Sequence, residues 1–359
     1  MIWIWSGFIA FVLVLLALDL GVFHRKAHVV RVKEALAWSA VWITLGLAFT
    51  AVVYWLYENH VFGIGLTTDL MSVTAANPLG QNSGSTAAMK YVTGYLIEKS
   101  LSVDNIFVIS LVLGMVKVPP LYRHRVLFWG ILGALVMRGV MIAVGTQMIT
   151  RFSWTIYVFG GILILTALKM LFIKEDENDP AGGAILRWSR KIMPVTDKFH
   201  GEHFFVKAGT TASHEASVPG ADVQEDRAVD RAKPGTWMMT PLLLALIVVE
   251  FTDLVFAVDS IPAIFAISTD PFLVFTSNVF AILGLRSLYF ALEGMIDAFH
   301  HLKTALALVL LLVGFKMMAH SWMKTVLGEH FTLWVLLGVL AILAGGVVAS
   351  FAYPKPKEA

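Results

Sequence analysis

The chain is built from blocks of about 20 apolar residues, such as WIWSGFIAFVLVLLAL near its start and FTLWVLLGVLAILAGGVVASF near its end. Each block is long enough to cross about 30 Å of hydrocarbon as a helix. No water is available there to satisfy a backbone, so only helices or closed barrels span a bilayer. Blocks of this length are helices, not barrel strands. Composition agrees: 58% of the 359 residues are hydrophobic and 14% charged, against roughly 45–50% and about 25% in soluble domains. The expected fold class is an all-α polytopic membrane protein.

Nine spans are read, at about 2–22, 35–56, 89–116, 125–149, 153–173, 238–268, 272–294, 302–323 and 331–352. Every second loop is basic: HRKAHVVRVK (24–33); Lys117, Arg123 and Arg125; Arg187, Arg190 and Lys191; Lys303; and the KPKE tail. Alternate loops are poor in Lys and Arg, which puts the N-terminus outside and the C-terminus in the cytoplasm. Trp3, Trp5, Tyr54, Trp55 and Tyr57 fall where an interfacial aromatic belt belongs. The first block has its basic cluster after it rather than before it, so it reads as a retained span, not a cleaved signal. The organisation is then two N-terminal spans (1–56), an external loop (57–88), three spans (89–173), a partly disordered cytoplasmic loop (174–237), three spans (238–323), and a last span with a short tail (324–359). Within the cytoplasmic loop, AGTTASHEASVPGADVQEDRAVDRAKPG reads as flexible linker, and no second folded domain is expected. The net charge of +2 gives no sign of a nucleic-acid partner. The chain has no Cys, which excludes thiol redox chemistry, disulfides and thiolate metal sites.

Spans three to five align with spans six to eight. VDNIF (103–107) matches VDSIP (258–262), GALVMR ending at Arg138 matches AILGLR ending at Arg286, and TALKML with Lys169 matches VGFKMM with Lys316. Asp, Arg and Lys thus recur in one order on successive spans. Three is odd, so the two units enter the membrane from opposite sides. That is the inverted repeat of many secondary transporters, whose ion sites lie near the midplane where the repeats meet.

The charges inside these spans are the candidate site, because isolated charges at the bilayer centre cost at least ~2.5–3.5 kcal/mol each. On span three, Glu98, Ser102 and Asn105 form one helical stripe, with Asp104 beside it. On span six, Glu250, Asp253 and Ser260 share a face, while Asp259 lies nearly opposite Glu250. Pro262 cannot donate to the Val258 carbonyl, so a bend or break of span six is expected there, swinging Asp259 toward Asp253. Asp19 on span one is a sixth acid, near an inner boundary where a structural role is equally open. Lys99, Arg138, Arg286, Lys169 and Lys316 balance the charge, although Lys169 also fits a residue snorkelling from its span end. The donor set is oxygen only, which suits Mg²⁺, Ca²⁺ or Mn²⁺; Mn²⁺ is favoured. In HGEH (200–203) a weak metal sensor stands against a solvated loop, and the motif is not HExxH.

GYLIEKSLSVDNIFV (94–108), EFTDLVFAVDSIPAIFAISTDPF (250–272), SNVFAILGLRSLYF (277–290) and MPVTDKFHGEHFFV in the cytoplasmic loop resemble the TerC/Alx family of bacterial inner-membrane proteins. That family is named for tellurite resistance and grouped with LysE-type exporters, and its members are implicated in Mn²⁺ export. The resemblance implies that Glu98, Asp104, Asn105, Glu250, Asp253, Asp259 and Ser260 belong to the family's acidic motifs. The leading expectation is a secondary transporter exporting Mn²⁺, with protons as a candidate counter-ion and no prosthetic group. The alternative is a membrane-bound redox or stress modulator that transports nothing. An intramembrane hydrolase is not expected, since neither HExxH nor GxSxG occurs.

Overall fold

In a computed structural model, residues 2–21, 32–73, 77–152, 154–172, 193–210, 226–292, 302–319 and 331–352 are described. A few side chains within helices, those of Asp19, Asp104 and Asp259 among them, lie outside that description. The helices are α1 (Ile2–Gly21), α2 (Val32–Glu58), α3 (Gly84–Met115), α4 (Pro120–Arg151), α5 (Thr155–Phe172), the short α6 (Arg227–Arg231), α7 (Pro241–Phe265), α8 (Pro271–Ile282), α9 (Leu285–Leu292), α10 (Leu302–Met318) and α11 (Phe331–Ala352). Among the described residues, five helical stretches are long and apolar enough to cross a membrane, and three shorter apolar helices accompany them. The chain is an all-α integral membrane protein with several such helices.

Local chemistry sets the helix ends. Ser83 caps α3, accepting from the Thr86 N–H. Pro120, Pro241 and Pro271 open α4, α7 and α8 at positions where a missing N–H costs nothing. At the end of α3, Lys117 takes a left-handed φ of 60°. The Val118 N–H then reaches the Leu113 carbonyl (2.9 Å) and the Lys117 N–H the Gly114 carbonyl (3.0 Å), a Schellman closure.

Helix faces are sorted as lipid requires. On α4, Val136, Val140 and Val144 point outward and are more than half exposed, while Ala134, Arg138 and Ile142 are buried. An apolar outer face with the helix's one buried charge turned inward is the reverse of a soluble helix. α3 packs on α8, α4 on α7, α2 on α3, and α10 on both α5 and α11. An aromatic core from α1, α2, α3 and α8 joins Phe8, Phe49, Tyr91, Phe272 and Phe280, with Phe49 and Phe280 centroids 4.6 Å apart. α5 and α10 approach through glycines: a Cβ on Gly314 would lie 3.1 Å from the Gly160 carbonyl oxygen, and one on Gly160 3.3 Å from that of Gly314.

Several expectations are corrected. Span six does not break at Pro262: α7 runs on to Phe265. Every residue from Ser260 to Asp270 is buried, so packing holds the turn where one ladder bond is missing. The interruption falls in span seven, between α8 and α9, where Gly284 has φ +81°. The loop after α2 packs onto the bundle. It folds back through two short 3₁₀ turns, Val61–Gly63 and Leu70–Ser72, and buries Ile64, Asp69, Met71, Ser72 and Asn82. Tyr57 faces inward rather than joining an aromatic belt.

The stretch read as flexible linker is ordered over 226–235. Strands β1 (Phe205–Lys207) and β2 (Trp237–Met239) pair antiparallel, and Val206, Ala208, Val229 and Met238 form a small core beneath them. Asp226 caps α6 and gathers this ribbon unit. Its carboxylate accepts from the N–H groups of Asp197 (3.3 Å), Lys198 (2.9 Å), Ala228 (2.9 Å) and Val229 (3.3 Å), and meets His200 Nε2 at 3.1 Å. Burial pushes this carboxyl up, but the four N–H groups outweigh it and hold the group below the ordinary carboxylate range. HGEH is therefore divided: His200 is buried against Asp226 and His203 is exposed. Arg125 fastens the unit to the start of α4, pairing with Glu202 at 2.8 Å and lying 5.1 Å over the Phe204 ring. A cleft of about 460 Å³ opens between the α3–α4 turn and the ribbon, lined by Lys117, Thr196, Asp197 and Phe199.

Candidate functional site

The stripe on α3 and the shared face of α7 meet inside the bundle, with Arg138 of α4 between them. Glu98 and Arg138 form an ion pair, each almost fully buried. Asp253 takes the same guanidinium with both oxygens: Nη2 to Oδ1 at 2.9 Å and Nε to Oδ2 at 3.3 Å. Such two-pronged pairing is what a planar guanidinium offers and an ammonium does not. Arg138 Nη1 also donates to Ser260 Oγ and Asn278 Oδ1, both at 3.3 Å. Asn105 Nδ2 donates to Asp253 Oδ1 at 2.8 Å. α3, α4, α7 and α8 thus each give a side chain to one hub, and its two carboxylates and single guanidinium carry a formal charge of −1.

Several acceptor oxygens here are unspent. Glu98 Oε2, Asn105 Oδ1 and Glu250 Oε2 are buried and make no hydrogen bond among the described residues. Glu250 lies over α4 in the space a Cβ on Gly133 would fill. A cavity of about 20 Å³ adjoins the hub, lined by Asn105, Asp253, Arg286 and Gly130 among others. That is room for about one water molecule or one bare ion. Among the residues that line it, Asn105 and Asp253 bring oxygens that suit a small hard cation, and Arg286 brings a positive charge. Among the described side chains, however, no three His, Asp or Glu stand together as a complete ligand group.

The other expected members divide. Arg286 is buried and lines the cavity. Ser102 is buried on the stripe but bonds its own helix, at the Glu98 carbonyl (2.8 Å). Lys316 is buried in α10. Lys169 is exposed at the end of α5, as a snorkelling residue would be, and does not join the hub. The side chains of Asp19, Asp104 and Asp259 lie outside the described residues.

Lys99 leaves the hub and donates to the Ala281 carbonyl at 3.1 Å. That carbonyl is free because the helix is interrupted at Gly284, so the lysine occupies an acceptor that the break exposes. Gly284 is fixed there twice over: its φ is +81°, and a Cβ would stand 2.5 Å from Trp42 Cβ. Gly284→Ala is expected to cost about 2 kcal/mol or more, part backbone strain and part clash. An unchanged melting temperature would refute that account of the break.

Sequence reasoning missed Asn278 and the whole loop-end cluster of Asp69, Lys90, Asn82 and Asp270. Asn278 was within reach, since it lies two turns before Arg286 on a span already singled out. Asp69 had no comparable signal: its partner Thr269 is 200 positions away.

Comparison with known proteins places these features in a wider set. The model of the integral membrane protein TerC family matches residues 83–358. An uncharacterized membrane protein of Myxococcus xanthus, STKORF319, is 45% identical over 97% of this chain and 91% of its own length. Proteins named as a candidate membrane-bound redox modulator, Alx, are 40% identical over 94% of this chain: that of Salmonella typhi over 92% of its length, that of Escherichia coli K12 over 90%. No solved structure matches.

Proposed function

Because the chain belongs to the TerC family of integral membrane proteins, we propose that it is a secondary transporter that exports divalent cations, Mn²⁺ foremost, in exchange for protons. One observation carries the reading: Glu98 and Asp253, equivalent positions in the two half-motifs, converge on one buried guanidinium beside an ion-sized cavity. Glu98 stands six positions before Asp104, and Asp253 six before Asp259.

The reading takes nine spans and two inverted three-span units, α3–α5 and α7–α10. Packing supports it, since α3 on α8 and α4 on α7 are the contacts that such a symmetry exchanges, and α5 on α10 is one it preserves. The positive-inside rule then puts the ribbon unit in the cytoplasm and the loop after α2 outside.

Arg138 has a defined part in this mechanism. It fills the place between the carboxylates that a divalent cargo would take, so one of their two charges is balanced before metal arrives. A cation entering the cavity competes with the guanidinium for Asp253 and Glu98, and the unspent oxygens of Asn105 and Glu250 add to its shell. Carboxylates that lose protons as metal binds, and regain them after its release, provide exchange.

The test is Mn²⁺ flux in proteoliposomes, with internal pH recorded by a dye. Asp253→Asn, Asp104→Asn and Asp259→Asn are each expected to lower flux at least about tenfold, the size of effect that one transition-state or site contact of about 1.4 kcal/mol produces. Wild-type flux in all three would sink the assignment.

The name of the Alx relatives favours a second reading, a redox modulator. Without Cys, such a protein has no thiols to exchange, so it would need a bound redox group. A visible chromophore purifying at one per chain, with no Mn²⁺ flux, would favour it.

A further inference from the structure

The loop end of the bundle holds a second buried polar cluster that the ion site does not use. Asp69 is its centre. Oδ1 accepts from the Met71 N–H (3.0 Å), the Thr269 N–H (3.0 Å) and Thr269 Oγ1 (3.1 Å); Oδ2 accepts from Lys90 Nζ (2.6 Å), Ser268 Oγ (2.5 Å) and Asn82 Nδ2 (3.1 Å). Lys90 gives its remaining hydrogens to Ser72 Oγ (2.7 Å) and Asn82 Oδ1 (3.1 Å). The loop, α3 and the α7–α8 turn are thereby tied at one point, and the charges of Asp69 and Lys90 cancel.

Asp270 is left over. It is 3% exposed, and its Oδ1 caps α8, accepting from the Phe272 (3.0 Å) and Leu273 (3.4 Å) N–H groups. Its Oδ2 is buried, and among the described residues only the hydroxyl of neighbouring Tyr57, at the end of α2, faces it. The charged groups around it are already committed. Lys90 serves Asp69, Glu58 accepts from the Gly84 N–H, and His60 Nδ1 meets the Ile64 carbonyl. Asp69 itself repels a second anion. A carboxylate buried without a cation takes a proton. Burial foremost, then the charge of Asp69, push the Asp270 carboxyl up to about 6, against the pull of Tyr57 and the two α8 N–H groups.

We infer that Asp270 and Tyr57 form a proton-binding site that controls how firmly the loop after α2 is latched to the bundle. With the proton on Oδ2 the cluster is neutral; without it, the Tyr57 hydroxyl donates to the carboxylate. When the proton leaves to water on the loop side, a carboxylate remains beside Asp69 and the α7–α8 turn is pushed from the loop. The closed loop holds its proton more tightly than the open one, whose carboxyl has the ordinary value of 3.8. The latch is therefore firmest below that value, weakens as pH rises toward about 6, and is level above it. The inference does not depend on what the ion site carries.

Amide hydrogen exchange of the full-length protein in nanodiscs, corrected for intrinsic chemistry, tests it. Protection across Ile64–Ser72 is expected to fall by between about tenfold and about a hundredfold over that window. Asp270→Asn is expected to remove the pH dependence. Tyr57→Phe, which removes a donor to the carboxylate, should carry the upper edge of the window to higher pH, and it decides the matter even if the Asn variant fails to fold. Flat wild-type protection, an Asp270→Asn variant with the wild-type slope, or an unmoved edge in Tyr57→Phe would each overturn the inference.

Discussion

Asp69→Ala should destabilise the protein by about 3–5 kcal/mol, the usual cost of removing one partner from a buried ion pair. Asp69 and Lys90 are both essentially inaccessible to solvent. Without the carboxylate, the ammonium keeps only Ser72 and Asn82 as acceptors, and the loop loses its tie to Ser268 and Thr269. The charge on Lys90 and hydrogen bonds from Lys90, Ser268 and Thr269 overcome burial and hold the Asp69 carboxyl well below its usual range, so Asp69 is a carboxylate at any working pH. The control is Asp69→Leu with Lys90→Met. An apolar pair of similar volume is often neutral or better, so the double variant should melt above Asp69→Ala. If it melts as low as the single variant, the uncompensated charge is not the cause of the loss.

The second large effect is at the hub. Arg138→Gln strands Glu98 and Asp253 in the bundle without their cation, again a loss of about 3–5 kcal/mol in metal-free buffer. Under the transport reading this loss has a specific remedy, because a divalent ion fits between the two carboxylates. Mn²⁺ at a hundred times its dissociation constant should return about 2.7 kcal/mol. The wild type, which must first release its guanidinium, should gain less at the same concentration. The measurement is the apparent melting temperature of both proteins across a Mn²⁺ titration, with Mg²⁺ as comparison. Equal gains, or none in the variant, would mean that Arg138 and the metal do not share a place.

The hub was largely legible because charges within lipid-facing blocks are few. Helical periodicity alone puts Glu98, Ser102 and Asn105 on one stripe, and all three are buried. Asp253 and Ser260 share a face and both reach Arg138. The conformation of span seven was not legible. A Leu-Gly pair in an apolar run costs a helix only about 1 kcal/mol, whereas the Pro of VDSIP, at about 3 kcal/mol, looked far more disruptive. Tertiary packing reversed the order: the buried turn around Pro262 stayed helical, and Trp42 pressed against Gly284 opened the other helix. The loop after α2 failed to announce itself for a different reason. Gly, Ser and Asn in a connecting segment look alike whether they meet water or, as with Asn82 and Ser72, a buried lysine.

Among the described residues, α5 and α10 make the most extensive helix contact, and neither has room to spare there. Gly160 and Gly314 present backbone to backbone, with Ile164 filling the space over one and Met318 the space over the other. Small residues that let two backbones touch are what packing in lipid selects, since apolar burial gives helices no reason to prefer each other over hydrocarbon. A side chain added at position 314 would meet Ile164 Cγ1 at 2.9 Å and the Gly160 carbonyl oxygen at 3.1 Å. It would act as a wedge, prising this pair apart far from the guanidinium while leaving the hub's chemistry intact.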